Sequence, residues 1–511
     1  MTRWCQDTYG PLFSHFGVRL AGSASGTPLV FLNGAIMVDS GNENPTYLFE
    51  CQDRYPVYAS LAGMRCLFLV RDDDHAQQYQ TAIAALAPRL ATIRQYTGPL
   101  LDCDVPEPLY LGCEFDASRI RLSFCDKSRQ QVADGQVISR HLTSGIYFHQ
   151  MAPLVSDLAN QFRDLMQQQS IQVELEEDSI RRSAQLALQW HDKSRYVKLL
   201  HDRKHTDLPN HVPTTIISLQ HLKELTWSRL QDLVGQQAGS ANATSFFIKS
   251  SIDSAGEVCV SLDATNFDQK IAALVEAIEA KARHLNRSGS ALQLLVQPRI
   301  ETSSDRFDQP MSMGFTYHIY DVDRIEPVVF TGHLYEDPER KVFMGTYLSQ
   351  TLSQDALRAI GENKLLALFR LFAEQGLRGP IHLDAVRNVH GEYVFVYDCN
   401  PRLGGSLPGL ILKLALRREG LRVDTLASIG YRGRIVYPDL RAKLDELGDM
   451  DLLYTRDTQR GAYLVPSIVR PDSYDLILLN LEIAEIRQFI ESGLIHTLSD
   501  QSQTDLPGIY V

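Results

Sequence analysis

The segment GPIHLDAVRNVHGEYVFVYDCNPRLGGS, Gly379 to Ser406, is the most informative in the chain, because it sets polar groups on strands otherwise built for burial. Apolar runs at 381–386 and 393–397 flank Asn388-Val389-His390-Gly391, which has turn chemistry, so the segment reads as a hairpin. Side chains alternate along a strand: Asp398 and Asn400 therefore share one face, and His382 and Asp384 share a face of the strand before it. A turn centred on Val389 and His390 sets Asp384 opposite about position 395, one diagonal step from Asp398.

Two carboxylates and an amide oxygen converging at that range repel one another in a low dielectric unless a hard cation lies between them, and magnesium takes such oxygens together with phosphate. Asp384, Asp398 and Asn400 are thus candidate metal ligands. Arg402, two residues on, adds a fixed charge able to grip a phosphoryl group or an anionic intermediate bidentately. Gly404-Gly405-Ser406 then offers backbone N–H groups to an anion. The bland alternative is a strand-end carboxylate, a turn starter at Asn400-Pro401, and a surface pair between Arg402 and Asp398.

Outward from this hairpin the α and β patterns continue. Residues 355–375 read as a helix, with Leu365, Leu368, Phe369 and Phe372 in one apolar stripe ended by Gly376 and Gly379. Strand patterns lie at 214–218, 245–250, 258–262 and 292–297, with a helix at 271–285. Residues 179–201 look helical throughout, and Pro209 and Pro213 bracket a loop after them. The first ~185 residues alternate short apolar runs with helices at 76–96 and 155–169, and Asn33-Gly34 and Arg71-Asp72-Asp73-Asp74 follow two of the runs as turns, in the manner of an open α/β sheet. At roughly 150 residues per domain, 511 residues allow about three domains and clefts between them.

Composition excludes several classes. A net charge of −12 with no long basic run makes nucleic acid an unfavourable partner. The N-terminus has no uninterrupted apolar region or cleavage site, and no stretch approaches the ~18 apolar residues of a membrane span. The cysteines form no C-x-x-C pair, which removes the usual zinc and redox spacings and suits a reducing cytoplasm. Neither GxxxxGK nor GxGxxG occurs, nor any local nucleophile–histidine spacing of a hydrolase.

YDCNPRLGGS resembles the acid-x-Asn-x-Arg signature that closes the active site of ATP-grasp ligases, and three further motifs follow the family's order. His191-Asp192-Lys193 is similar to the helix start that opens its nucleotide half. SFFIKS, 245–250, resembles its strand ending in a lysine, and LLVQPRIE, 294–301, lies where it has the hinge whose backbone meets adenine. The resemblance implies an α/β (α+β) ATP-grasp fold: a pre-ATP-grasp-like N-terminal domain over 1–185, a nucleotide-binding subdomain over 186–300, a metal and catalytic subdomain over 301–430, and a C-terminal α/β extension over 431–511.

It also implies ATP as cosubstrate with two magnesium ions, for which manganese can substitute, held by Asp384, Asp398 and Asn400. Lys193 and Lys249 would grip phosphates, and Gln297, Pro298, Arg299, Ile300 and Glu301 would line the nucleotide, with Glu301 or Asp305 at the ribose. The loop after Lys249, with its single Gly256, would fold over phosphates. Arg402 would stabilise the tetrahedral intermediate. A lysine leaving a strand as apolar as Phe246-Phe247-Ile248 projects a desolvated point charge, which suits phosphate. Of His318, His333, His382 and His390, His382 is the first candidate to accept an amine proton, since it shares a face with Asp384.

The implied activity is an ADP-forming carboxylate–amine ligation through an acyl phosphate, acting on small molecules such as amino acids or a peptide, as in natural-product peptide ligases. An ATP-grasp enzyme with a non-amide product and a catalytically silent nucleotide binder are the competing readings. Arg299, His333 and Arg417 are candidates to meet a substrate carboxylate, and a homodimer is compatible with such a chain. Family usage has glutamate where Asp398 and Gln297 stand.

Overall fold

The structure is a computed structural model. It describes residues 17–20, 30–32, 58, 66–70, 73–101, 109–116, 119–125, 145–147, 153–168, 173–174, 182, 185–187, 189–190, 192–201, 207–238, 244–251, 259–284, 293–302, 312–335, 343–402, 405–430, 435–467, 472–492 and 494.

Three sheets organise these residues. The first is a seven-stranded mixed sheet formed by β1 (Gly17–Leu20), β2 (Val30–Leu32), β3 (Cys66–Val70), β4 (Leu109–Asp116), β5 (Arg119–Cys125), β6 (Gly145–Tyr147) and β7 (Val173–Glu174), in the order β5-β4-β3-β2-β6-β1-β7. β2, β3 and β4 run parallel, which requires crossovers, and the helix Asp73–Thr97 follows β3 as expected. Asn33 and Gly34 lie outside the described residues.

The second sheet is four-stranded and antiparallel: β8 (Thr215–Ser218), β9 (Ser245–Ser250), β10 (Cys259–Asp263) and β11 (Gln293–Pro298), in the order β10-β9-β11-β8. It has its own core. Phe246 and Ile248 of β9, Leu294 and Val296 of β11 and Ile217 of β8 pack with Leu222, Leu230, Leu274 and Ile278 of the covering helices. Alternation along β9 leaves Lys249 on the other face, and β11 pairs it so that Leu295 lies opposite Lys249 and Gln297 opposite Phe247. Lys249 and Gln297 therefore leave this lobe in the same direction.

The third sheet is nine-stranded and antiparallel. Its strands are β12 (Ser312–Ile319), β13 (Ile325–Tyr335), β14 (Phe343–Ser349), β15 (Gly379–Arg387), β16 (Tyr393–Asn400), β17 (Thr425–Ile429), β18 (Ile435–Val436), β19 (Gly461–Pro466) and β20 (Ser473–Leu479). The order is β16-β15-β12-β13-β14-β17-β20-β18, with β19 also pairing β20. Strands β18 to β20, from the segment expected to form a C-terminal extension, are thus part of the same sheet as β12 to β17. The whole is the α+β organisation expected from the sequence, with helices laid on antiparallel sheets and a mixed sheet at the N-terminus. Tyr58 ties the first region to the third sheet, its hydroxyl donating to Asp475 Oδ2 at 2.9 Å and lying 3.1 Å from Ser428 Oγ.

The helix expected over 355–375 is two helices, Gln350–Ile360 and Glu362–Glu374, because Gly361 between them takes φ +94°. Ser349 caps the first by accepting from the Leu352 amide at 3.3 Å. The apolar stripe of the second is fully buried, and Phe372 meets Trp190 and Tyr196 edge-on at 5.2 and 5.0 Å. Among the described residues no helix is long and apolar enough to cross a membrane.

Candidate active site

The site begins with a departure from regular pairing. His382 pairs with Asn400 and Leu383 with Cys399, but Ala385 pairs with Phe395, so Val396, Tyr397 and Asp398 together oppose Asp384. The expected register, with Asp384 opposite about 395, is shifted by this bulge. Tyr397 at its centre adopts φ +56°, a left-handed conformation costly for a bulky residue. Burial of its ring holds it there: it lies 5.0 Å from the Tyr196 ring and 5.1 Å from His211. Residues 210–212 brace the same stretch, since Phe395 N–H donates to Asn210 O at 2.8 Å and Val212 N–H to Phe395 O at 2.9 Å.

The bulge takes the Val396 carbonyl out of the ladder, and the second sheet captures it. Lys249 Nζ donates to Val396 O at 2.7 Å, and Gln297 Nε2 donates to the same oxygen at 3.3 Å and to Thr214 Oγ1 at 2.9 Å. Burial draws the Lys249 ammonium below its ordinary pKa, with the Asp398 carboxylate opposing that shift.

Lys193 reaches the same strand from another side. The helix Lys193–His201 starts at Asp192, whose carboxylate accepts from Ser194 N–H at 3.0 Å, and Lys193 N–H donates to Ser251 O at 2.7 Å. Lys193 Nζ then lies 3.6 Å from Asp398 Oδ1. The two lysines and the two candidate metal carboxylates are brought together, as are Asn400 and Arg402. Asn400 Nδ2 donates to Asp398 Oδ1 at 3.4 Å, Arg402 Nη2 donates to Asn400 Oδ1 at 3.3 Å, and Arg402 N–H donates to Asn400 O at 2.7 Å. Arg402 is turned toward Asn400 rather than Asp398.

Asp384 is enclosed by histidines. His382 Nε2 lies 3.0 Å and His333 Nε2 3.6 Å from Asp384 Oδ1. On the far side of each ring stands a hydroxyl, Thr316 Oγ1 at 2.8 Å from His382 Nδ1 and Ser312 Oγ at 3.1 Å from His333 Nδ1. Burial acts to raise the Asp384 pKa, but the His382 ring, by charge and by hydrogen bond, outweighs it with His333 and Lys249, so the carboxyl stays below its ordinary value. Burial lowers His333, against the pull of Asp384.

The hinge expected over 297–301 is β11's end and the residues after it. Pro298 and Ile300 are half-buried, Arg299 is exposed with its amide donating to Ser245 O at 2.9 Å, and Glu301 O accepts from Val389 N–H at 3.0 Å. Gly256, Asp305 and Gly404 lie outside the described residues. His390 is exposed in the hairpin turn, and Arg417 donates to Val423 O at 3.3 Å, away from the cluster on β16.

Sequence reasoning passed over Ser312, Gly314 and Thr316. Their signal was the period-two polar pattern of SMGFTYHI, a strand buried along its whole length, where alternate small polar residues face β15.

The donor set fits a hard cation: Asp384 and Asp398 supply carboxylate oxygens, and a half-turn of the Asn400 amide exchanges its nitrogen for its oxygen. An anion fits beside it. Arg402 Nε and Ser406 Oγ are buried without a hydrogen-bond partner among the described residues, and Ser406 stands at the start of the helix Leu407–Arg418.

No family model matches the sequence, and no curated protein matches it. Among solved structures, N5-carboxyaminoimidazole synthetase from Staphylococcus aureus complexed with ADP is similar at 9% identity and a TM-score of 0.43, over 92% of this chain and 97% of that one. Biotin carboxylase from Campylobacter jejuni is similar at 9% identity and a TM-score of 0.43, over 91% of each chain. D-alanyl-alanine synthetase A from Vibrio cholerae gives 13% identity and a TM-score of 0.32, over 70% of this chain and 94% of that one.

Proposed function

We propose that the chain is an ATP-dependent carboxylate–amine ligase of the ATP-grasp type, joining small molecules such as amino acids or peptides and releasing ADP and phosphate. One observation carries this reading. Lys193 from a helix start and Lys249 from the second sheet converge on the bulge of β16, beside Asp384, Asp398, Asn400 and Arg402. The burial of Lys249 costs free energy that a bound polyphosphate offsets.

In this reading Lys193 and Lys249 leave their present acceptors for phosphate oxygens. Asp384, Asp398 and Asn400 would hold magnesium, which would supply charge neutralisation at the phosphates. The substrate carboxylate displaces ADP from the γ-phosphoryl group, and an amine then displaces phosphate from the acyl phosphate, losing one proton. Arg402, whose Nε has no hydrogen-bond partner among the described residues, meets the oxyanion of that second step. Work of this kind is mostly positioning and charge neutralisation.

The test is ADP and phosphate release from Mg-ATP across pools of amino acids, dipeptides and small acids, with Asp398→Ala beside the wild type. Release that depends on the pool and is lost in the variant supports the ligase. Release of AMP and pyrophosphate refutes the acyl-phosphate route, and tight ATP binding without release across every pool points to a substrate outside the pools or to a silent binder.

A further inference from the structure

We propose that His333, His382 and Asp384 form a binding site for a divalent metal ion of the zinc and cobalt class, distinct from the magnesium position above and sharing only Asp384 with it. The inference does not rest on the ligase reading. The three side chains come from β13 and β15 and present one ligand atom each, all within 4.8 Å of one another.

The spacing suits such an ion. With ligand bonds of about 2.1 Å, neighbouring atoms of a tetrahedron around zinc lie about 3.4 Å apart. The two nitrogen-to-oxygen distances, 3.0 and 3.6 Å, bracket that length. Two imidazoles favour zinc or cobalt over magnesium, which prefers oxygen and water.

The surroundings point the same way. Each ring has its Nδ1 against a hydroxyl, Thr316 for His382 and Ser312 for His333, so both Nε2 atoms are aimed at one carboxylate oxygen. Such contacts fix ring orientation and tautomer in metal sites. A hydroxyl accepts from Nδ1–H as readily as it donates to Nδ1, so His382 can move its proton from Nε2 to Nδ1 and free Nε2 as a ligand. A lone imidazole–carboxylate hydrogen bond requires one histidine; the second ring, held by its own hydroxyl and directed at the same oxygen, is what a metal needs. Room for the His382 ring exists because residue 314 is glycine: a Cβ there would stand 2.2 Å from His382 Cε1 and 2.6 Å from Nε2. Three protein ligands leave at least one coordination position open.

The experiment uses the full chain, stripped with a chelator and without nucleotide. Co2+ uptake is followed by its visible absorption, and Zn2+ binding by calorimetry. The expected result is one ion per chain, Zn2+ displacing Co2+, with His333→Gln and His382→Gln each weakening binding by on the order of tenfold or more. Ser312→Ala, which leaves all three ligands in place, weakens it less and guards against variants that fail to fold, as does near-ultraviolet circular dichroism of each. Asn400→Ala, which removes none of the three ligands although Asn400 pairs with His382 across the strands, weakens cobalt binding less than either histidine variant. Three results overturn the proposal: no uptake by the folded wild type at micromolar metal, equal affinity in folded histidine variants, or Mg2+ competing as well as Zn2+. The cobalt and zinc titrations contain no nucleotide, so a chain that binds zinc keeps this proposal whatever the outcome of the ADP-release test, which bears on the ligase reading alone.

Discussion

Lys249→Met separates a functional lysine from a structural one. In the nucleotide-free chain the ammonium is desolvated and held by one carbonyl, Val396 O at 2.7 Å. Methionine nearly matches the stem in volume, and Val396 O keeps a second donor in Gln297 Nε2 at 3.3 Å, so no buried acceptor is orphaned. Losing a buried charge offsets losing its hydrogen bond, and unfolding stability should stay within about 1 kcal/mol of wild type. Binding should respond differently. A charge-assisted contact to phosphate contributes about 1.5–3 kcal/mol, so affinity for Mg-ADP should fall roughly tenfold to a hundredfold. Titration calorimetry gives the affinity and equilibrium urea unfolding the stability. Wild-type affinity in a folded variant would refute the placement of phosphates at Lys249. A stability loss above about 3 kcal/mol would show that the lysine braces the bulge instead.

Three further outcomes follow from the geometry. Gly314→Ala drives a Cβ into the His382 ring, so His382 must give up its contacts with Thr316 and Asp384; urea unfolding should show a loss of about 3 kcal/mol, and an unchanged midpoint would contradict the tight fit. His211 is half-buried, with Nδ1–H donating to Pro209 O at 2.8 Å and Nε2 accepting from Tyr196 Oη at 2.7 Å, and desolvation of its ring lowers its pKa to about 4. The unfolded chain, with a value near 6.5, takes the proton first, so stability is full above that pH and is lost as pH falls through 4, by about 3 kcal/mol from this group. His211→Gln should flatten that acid limb in pH-dependent unfolding, and an unaltered limb would exclude the assignment. Asp398→Asn keeps the shape but removes the charge facing Lys193 at 3.6 Å, and should abolish turnover while leaving thermal stability within a few degrees.

Much of the site could be read from local sequence because its parts lie close together in the chain. Asp398 and Asn400 are spaced by two on β16, Arg402 follows two residues past its end, and Asp384 sits across a short turn, so short-range spacing places them near one another. Lys193 and Lys249 come from distant segments, and only the order of motifs tied them to the hairpin. The bulge was invisible, since Tyr397 at φ +56° is a choice made by its neighbours Tyr196 and His211 rather than by tyrosine itself. That single residue shifts the register by which Asp384 meets β16 and frees the carbonyl that Lys249 and Gln297 share. Gly361 broke the helix expected over 355–375, whose apolar stripe from Leu365 to Phe372 lies wholly after it, because periodicity reports burial and not backbone hand. The enclosure of Asp384 by two histidines depended on the pairing of β12 with β13 and β15, a long-range fact that no local window carries.

A carboxylate activated by phosphoryl transfer at the cluster on β16 gives up one of its oxygens to the departing phosphate. With a substrate pair in hand, its acid labelled with heavy oxygen in the carboxylate, mass spectrometry of the released phosphate decides the matter. One labelled oxygen per phosphate, accompanied by ADP and the amide, is the predicted result. Unlabelled phosphate beside ADP, or AMP and pyrophosphate in its place, would contradict the account.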